Sequence, residues 1–144
     1  MAGVSRVPSN YKLLGRHELT TAFTTSSTHT TFQDEGLTLS VSYQGGRVLR
    51  VSLNVHAVAT GGSQGIAYQV LRTSTSVLQG QIGFALPAAS ATSFSFNRVF
   101  NGPATAATET FKVQIKALTA NTSVSSYGDA SYVRHLVVED LGPQ

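Results

Sequence analysis

The sequence has no cysteine. Disulfides and thiolate metal sites are therefore excluded. Charge is also scarce. Asp, Glu, Lys and Arg make up 12% of the chain, against about 25% in an ordinary soluble domain. Ser and Thr take the polar places instead. A soluble monomer so short of charge is unusual, so neighbouring subunits are expected to cover part of the surface. The formal net charge is +3, but the Lys and Arg residues are scattered. There is no basic stripe with interleaved aromatics, which argues against a nucleic-acid partner. No window approaches the length of continuous apolar residues that a membrane-spanning helix needs, so no membrane partner is expected. The first eight residues hold no apolar stretch of signal-peptide length, and the expectation is a protein that does not leave the cytosol by the general secretory route.

What is present is alternation. The 144 residues suit one domain, and a hydrophobic fraction of 41% allows a packed core. Residues 1–15 are irregular, broken by Pro8, Ser9, Asn10 and Gly15, yet they hold Val4, Val7, Tyr11, Leu13 and Leu14. That segment reads as an attachment arm that packs on something, with the folded domain spanning residues 16–144. From Gly36 the period is two. Leu37, Leu39, Val41 and Tyr43 alternate with hydroxyl residues. After Gln44-Gly45-Gly46, Leu49, Val51, Leu53, Val55 and Ala57 alternate with polar residues. The two segments read as a β-hairpin with one buried face. Further strands follow through Ile66–Val70, Leu78–Phe84, Phe94–Phe96 and Phe111–Ala117. Loops are expected at residues 60–65, 72–75, 86–89 and 101–103. The last strand, residues 130–140, is apolar on both faces. Tyr132, Leu136 and Val138 lie on one face, Val133 and Val137 on the other, so these five are candidate subunit-interface residues. Weaker segments at residues 19–24 and 30–33 bring the total to about eight to ten short strands, the spacing of an all-β antiparallel sandwich or barrel.

Catalytic patterns do not assemble, and the expectation is a protein that is not an enzyme, with no cofactor and no metal. His17, His29, His56 and His135 lack the short spacing of a zinc pair. Asp34-Glu35 and Glu139-Asp140 are adjacent on strands and so point to opposite faces, which suits turns and solubility better than shared acid–base chemistry. There is no nucleophile elbow, and the glycines of residues 61–65 lack the following Lys and helix of a phosphate loop. Tyr127, in a Ser/Gly-rich segment, is the candidate for a ligand loop that stacks on a sugar.

Three segments carry a resemblance. Leu14-Gly15-Arg16 precedes a Thr-rich run from Thr20 to Thr31. Gly36-Leu37-Thr38-Leu39-Ser40-Val41 is followed by Gly46-Arg47-Val48-Leu49-Arg50-Val51. The chain closes on Val137-Val138-Glu139-Asp140-Leu141-Gly142-Pro143. Together they resemble small virion proteins of tailed bacteriophages, of the minor tail and capsid decoration type found in phages of actinobacteria. The resemblance implies a jelly-roll-like β-sandwich, a homotrimer, assembled in the host bacterial cytoplasm and displayed on the virion beside capsid or tail proteins. The alternative it leaves open is a tail-tip module that binds a receptor or a host surface glycan.

Overall fold

The computed structural model describes residues 11–24, 31–59, 64–72, 76–86, 91–118 and 124–144. Every regular element among them is a strand: β1 (Lys12–Leu19), β2 (Phe23–Thr24), β3 (Gln33–Tyr43), β4 (Arg47–Ala59), β5 (Gln64–Arg72), β6 (Ser76–Leu86), β7 (Ala91–Asn101), β8 (Ala107–Ala117), β9 (Val124–Tyr127) and β10 (Arg134–Pro143). All pairings are antiparallel.

Two sheets form. In the first, β4 is flanked by β7 on one edge and by β10 on the other, and β1 lies outside β10. The second runs β3-β8-β5-β6. This interleaved order, in which the chain crosses between sheets at most connections, is a jelly roll. The short strands extend it. β9 continues along the same edge of β4 that β10 occupies, and β2 pairs with β9 as β1 pairs with β10.

The alternation seen in the sequence is the alternation of burial. Leu49, Val51, Leu53, Val55 and Ala57 of β4 face inward, and Phe111, Val113, Ile115 and Ala117 of β8 meet them from the other sheet. Burying each such side chain stabilises the fold by about 1.5–3 kcal/mol.

Three expectations need correction. The segments on either side of Gln44-Gly45-Gly46 are not a hairpin. β3 pairs with β8, and β4 pairs with β7, β9 and β10. The connection is an arch between sheets. Gly46 takes φ +66°, which a glycine adopts without steric cost. Its N–H donates to Pro103 O at 2.9 Å. The boundary expected at Gly15 falls inside β1, where a β-bulge between Leu13 and Gly15 accommodates the irregular sequence. The last strand begins at Arg134, not at residue 130, so Tyr132 and Val133 precede it. Its central position is as expected, between β1 and β4. Of the loops expected at residues 60–65, 72–75 and 86–89, residues 64–65 and 72 belong instead to β5 and residue 86 to β6, and the remainder lies outside the described residues.

Candidate functional site

The site arises from a strand that leaves its sheet. Tyr127 of β9 pairs with His56 of β4, and His135 of β10 pairs with Asn54. Two positions of β4 therefore face eight of the partner, and the surplus, residues 128–133, projects as an excursion. Asp129 shapes it. Its Oδ1 accepts the N–H groups of Ser131 (2.7 Å) and Tyr132 (2.9 Å), and its Oδ2 accepts the Tyr127 hydroxyl at 2.7 Å. An Asp that bonds the backbone two residues on is a standard turn former. The Tyr127 hydrogen bond holds the Asp129 carboxyl below its ordinary value and pushes the Tyr127 phenol up.

Beneath the excursion lies a buried ion pair. Arg134 and Glu35 are each 1% exposed, and they join β10 of one sheet to β3 of the other. Arg134 also donates to the backbone carbonyls of Glu35 (3.3 Å) and Thr21. Thr21 sits where the chain breaks between β1 and β2, so one guanidinium holds both interrupted strands. Ser126 donates to Glu35 Oε1 at 2.6 Å, and Tyr68 of β5 donates to Ser126 at 3.1 Å. Burial raises the Glu35 carboxyl above its ordinary value, although Arg134 and Ser126 oppose the rise. Burial likewise pushes the Tyr68 phenol up. Gly128 opens the excursion against this group. A Cβ there would stand 2.8 Å from Thr21 O and 3.1 Å from Arg134 Nε, so no larger residue fits without movement.

On the outer face, Ser93, His56 and Tyr127 form one register row across β7, β4 and β9. His56 Nδ1 and Ser93 Oγ are 2.8 Å apart. The Tyr132 ring stands edge-on to both neighbours, with centroids 5.1 Å from His56 and 5.8 Å from Tyr127. Together with Val58, Ala91 and Thr92 these groups line a cavity of about 380 Å3. Among the described residues, no Lys or Arg lines it. A second cavity, of about 410 Å3, lies at the other end of the sheet beside Lys12, Leu14 and Tyr43. Its Arg47 and Asp140 are committed to each other, with Nε contacts of 2.9 and 2.8 Å to the two carboxylate oxygens.

The residues singled out from sequence separate into several places. Val4 and Val7 lie outside the described residues. Tyr11 and Leu13 are exposed, at 65% and 59%, at the start of β1, and Leu14 is half-buried. Leu136 and Val138 are fully buried core residues, so they cannot meet a neighbouring subunit. Val133 and Val137 are half-buried, and Tyr132 is 50% exposed. Tyr127 closes β9 and does not belong to a free loop. The structure thus unites Tyr127 with Tyr132 and His56, which the sequence had kept apart.

The carboxylates also differ from expectation. Six of the seven acids each sit in an ion pair: Glu18 with Arg16, Asp34 with Lys112, Glu35 with Arg134, Glu109 with Arg72, Glu139 with Arg50, and Asp140 with Arg47. Glu35, Glu109 and Asp140 are buried, so they are structural groups and not solubilising ones. Asp129 has no ion pair among the described residues, and it belongs to the aromatic site. Among the described residues, no three His, Asp or Glu lie close enough together to hold a metal ion.

No family model and no curated protein matches the chain. Solved structures do. A chain of infectious bursal disease virus, Gx strain, aligns with a TM-score of 0.53 at 9% identity, over 93% of this chain and 38% of the viral one. The xylan-binding domain CBM22-1 of Paenibacillus barcinonensis Xyn10C aligns with a TM-score of 0.41 at 10% identity, over 92% and 97% of the two chains. A CBM4 structure aligns with a TM-score of 0.41 at 15% identity, over 74% of this chain and 59% of its own. The chain therefore spans about three-fifths of the CBM4 chain and well under half of the viral one. At 9% identity the likeness to the viral chain is one of fold alone.

Proposed function

We propose that the chain is a non-enzymatic structural protein of a bacteriophage virion. It is a jelly-roll protomer that associates with copies of itself as a homotrimer and is displayed on the capsid as decoration or on the tail as a minor tail protein. The observation that carries this reading is β7. This strand pairs with β4 without a bulge over residues 91–101, and no described strand pairs with its other edge. It contains no Pro and a single charge, Arg98, and Val99 is 52% exposed. Edge strands are ordinarily guarded by charge, proline, bulges or cover, and a long unguarded edge is a template for another chain. In a closed trimer each contact is heterologous, so this edge of one copy would seat against a different surface of the next.

Two further observations support the reading. Exposed Tyr11 and Leu13 at the start of β1 suit an arm that docks on a capsid or tail protein. The pairing of six acids with cations leaves them committed to structure. The protein's place is then the virion, after assembly in the host bacterial cytoplasm, and it needs no cofactor. Quantitative mass spectrometry of purified particles from the producing lysate tests this. A fixed copy number is expected, in the hundreds for the capsid or in the tens and below for the tail. Absence of the chain from purified particles overturns the proposal.

A further inference from the structure

We propose that the cavity between the excursion of residues 128–133 and the start of β7 binds a neutral sugar ring of a surface glycan. This goes beyond the structural role and stands on the cavity alone, whatever the oligomeric state. Three features point to the ligand class. The first is the wall. Tyr127 and Tyr132 are exposed by 36% and 50%, and their rings meet at 64°. Exposed tyrosines are costly to leave in water and are typical of sites that take an amphipathic partner. The second is the floor. Ser93, His56 and Tyr127 come from three paired strands in one register row, so they are held by the sheet and not by loops. The hydroxyl of Ser93 and the imidazole of His56 stand beside the apolar side chains of Val58 and Ala91. A pyranose matches that mixture, with a C–H face for the rings and a rim of hydroxyls for the polar groups. A purely apolar ligand would leave those polar groups without partners.

The third feature is charge. No Lys or Arg among the described residues lines the cavity, and Asp129, which has no ion pair among the described residues, hydrogen-bonds Tyr127 at its edge. Phosphorylated and carboxylated sugars would meet this carboxylate with no compensating Lys or Arg among the described residues. The volume of about 380 Å3 is at the low end of small-molecule sites, which run from about 300 to 1,000 Å3. A short glycan end suits it.

The test is saturation-transfer-difference NMR on the full chain. The probes are D-glucose, D-galactose, D-mannose, N-acetyl-D-glucosamine, L-rhamnose and L-arabinose at millimolar concentration, with sialic acid as the anionic control. Transfer to at least one neutral sugar is expected, and none to sialic acid. Tyr132→Ala should weaken binding at least about tenfold with an unchanged melting temperature. Ala91→Arg, at an exposed position that pairs with Val58 on the cavity's face of the sheet, should block the cavity and serves if Tyr132→Ala alters the fold. No transfer to any neutral sugar overturns the proposal. So does transfer that persists in Ala91→Arg, or binding of sialic acid as strong as that of the neutral sugars.

Discussion

The first sheet has two edges, β1 and β7, and they are built in opposite ways. β1 carries Lys12, Arg16, His17 and Glu18, is bulged between Leu13 and Gly15, and breaks before β2. Arg134 reaches the carbonyl of Thr21 in that break and ties the edge to the buried Glu35. β7 is long, continuous and nearly uncharged, and no described strand covers its outer side. One edge is closed to further pairing by charge and irregularity, while the other is left open by the described residues. A protein that needed only to stay soluble would guard both. Under the proposed self-association, the asymmetry makes β7 the edge on which a second chain would sit.

Breaking the anchored edge should have the largest effect. Arg134→Met leaves Glu35 buried and unpaired, and the expected loss is about 3–5 kcal/mol in denaturant unfolding. Amide exchange should rise first along β1 and β2, with β7 unchanged. Adding Glu35→Leu to that variant should restore part of the loss, since a buried ion pair replaced by apolar groups is often tolerated. If Arg134→Met unfolds both edges together, the anchoring is not local.

Val99→Lys should next close the open edge. Self-association is expected to weaken by about ten- to a hundredfold by sedimentation, with stability of the protomer unchanged. The matched change on β1, Arg16→Ser, should leave association as it was. Equal effects on the two edges would erase the distinction between them.

The pH dependence sharpens the role of Glu35. Its folded carboxyl is raised above the ordinary 4.5, first by burial. A raised group contributes stability fully below its unfolded value and loses it as pH rises through the folded one. Wild-type stability should therefore carry a decline with rising pH above 4.5 that is absent in Glu35→Gln. Asp34 acts in the opposite sense. The hydrogen bond from Lys112 lowers its carboxyl from 3.8, so its contribution is lost as pH falls below that value. The smallest effect belongs to Glu18→Gln on β1. Both partners of the Arg16–Glu18 pair are about half exposed, and its loss should cost no more than about 1 kcal/mol.

Much of the fold was legible in the residues. Period-two alternation located β3, β4, β8 and the core half of β10, because one buried face imposes that pattern. It could not say which strands pair. Leu37–Tyr43 and Leu49–Ala57 would show the same alternation in a hairpin and in an arch between layers, since either arrangement buries one face. Tyr132 shares the parity of Leu136 and Val138, yet the chain leaves the sheet at Gly128-Asp129, and parity does not register a departure. The aromatic site was half visible for the same reason. Tyr127 was a candidate, but its union with Tyr132 and His56 depends on β9 and β10 sharing one edge of β4. One signal was present and unread. Glu35 lies on the inward parity of Leu37 and Val41, and Arg134 on that of Leu136 and Val138. A charge on an apolar parity in each of two strands foretells a buried pair between them.

The central claim is self-association through an open edge, and light scattering on the full chain at micromolar concentration measures it most directly. A mass near three protomers of 15.2 kDa is expected for the wild type, falling toward one in Val99→Lys. A wild-type chain that runs as a stable monomer would contradict the account.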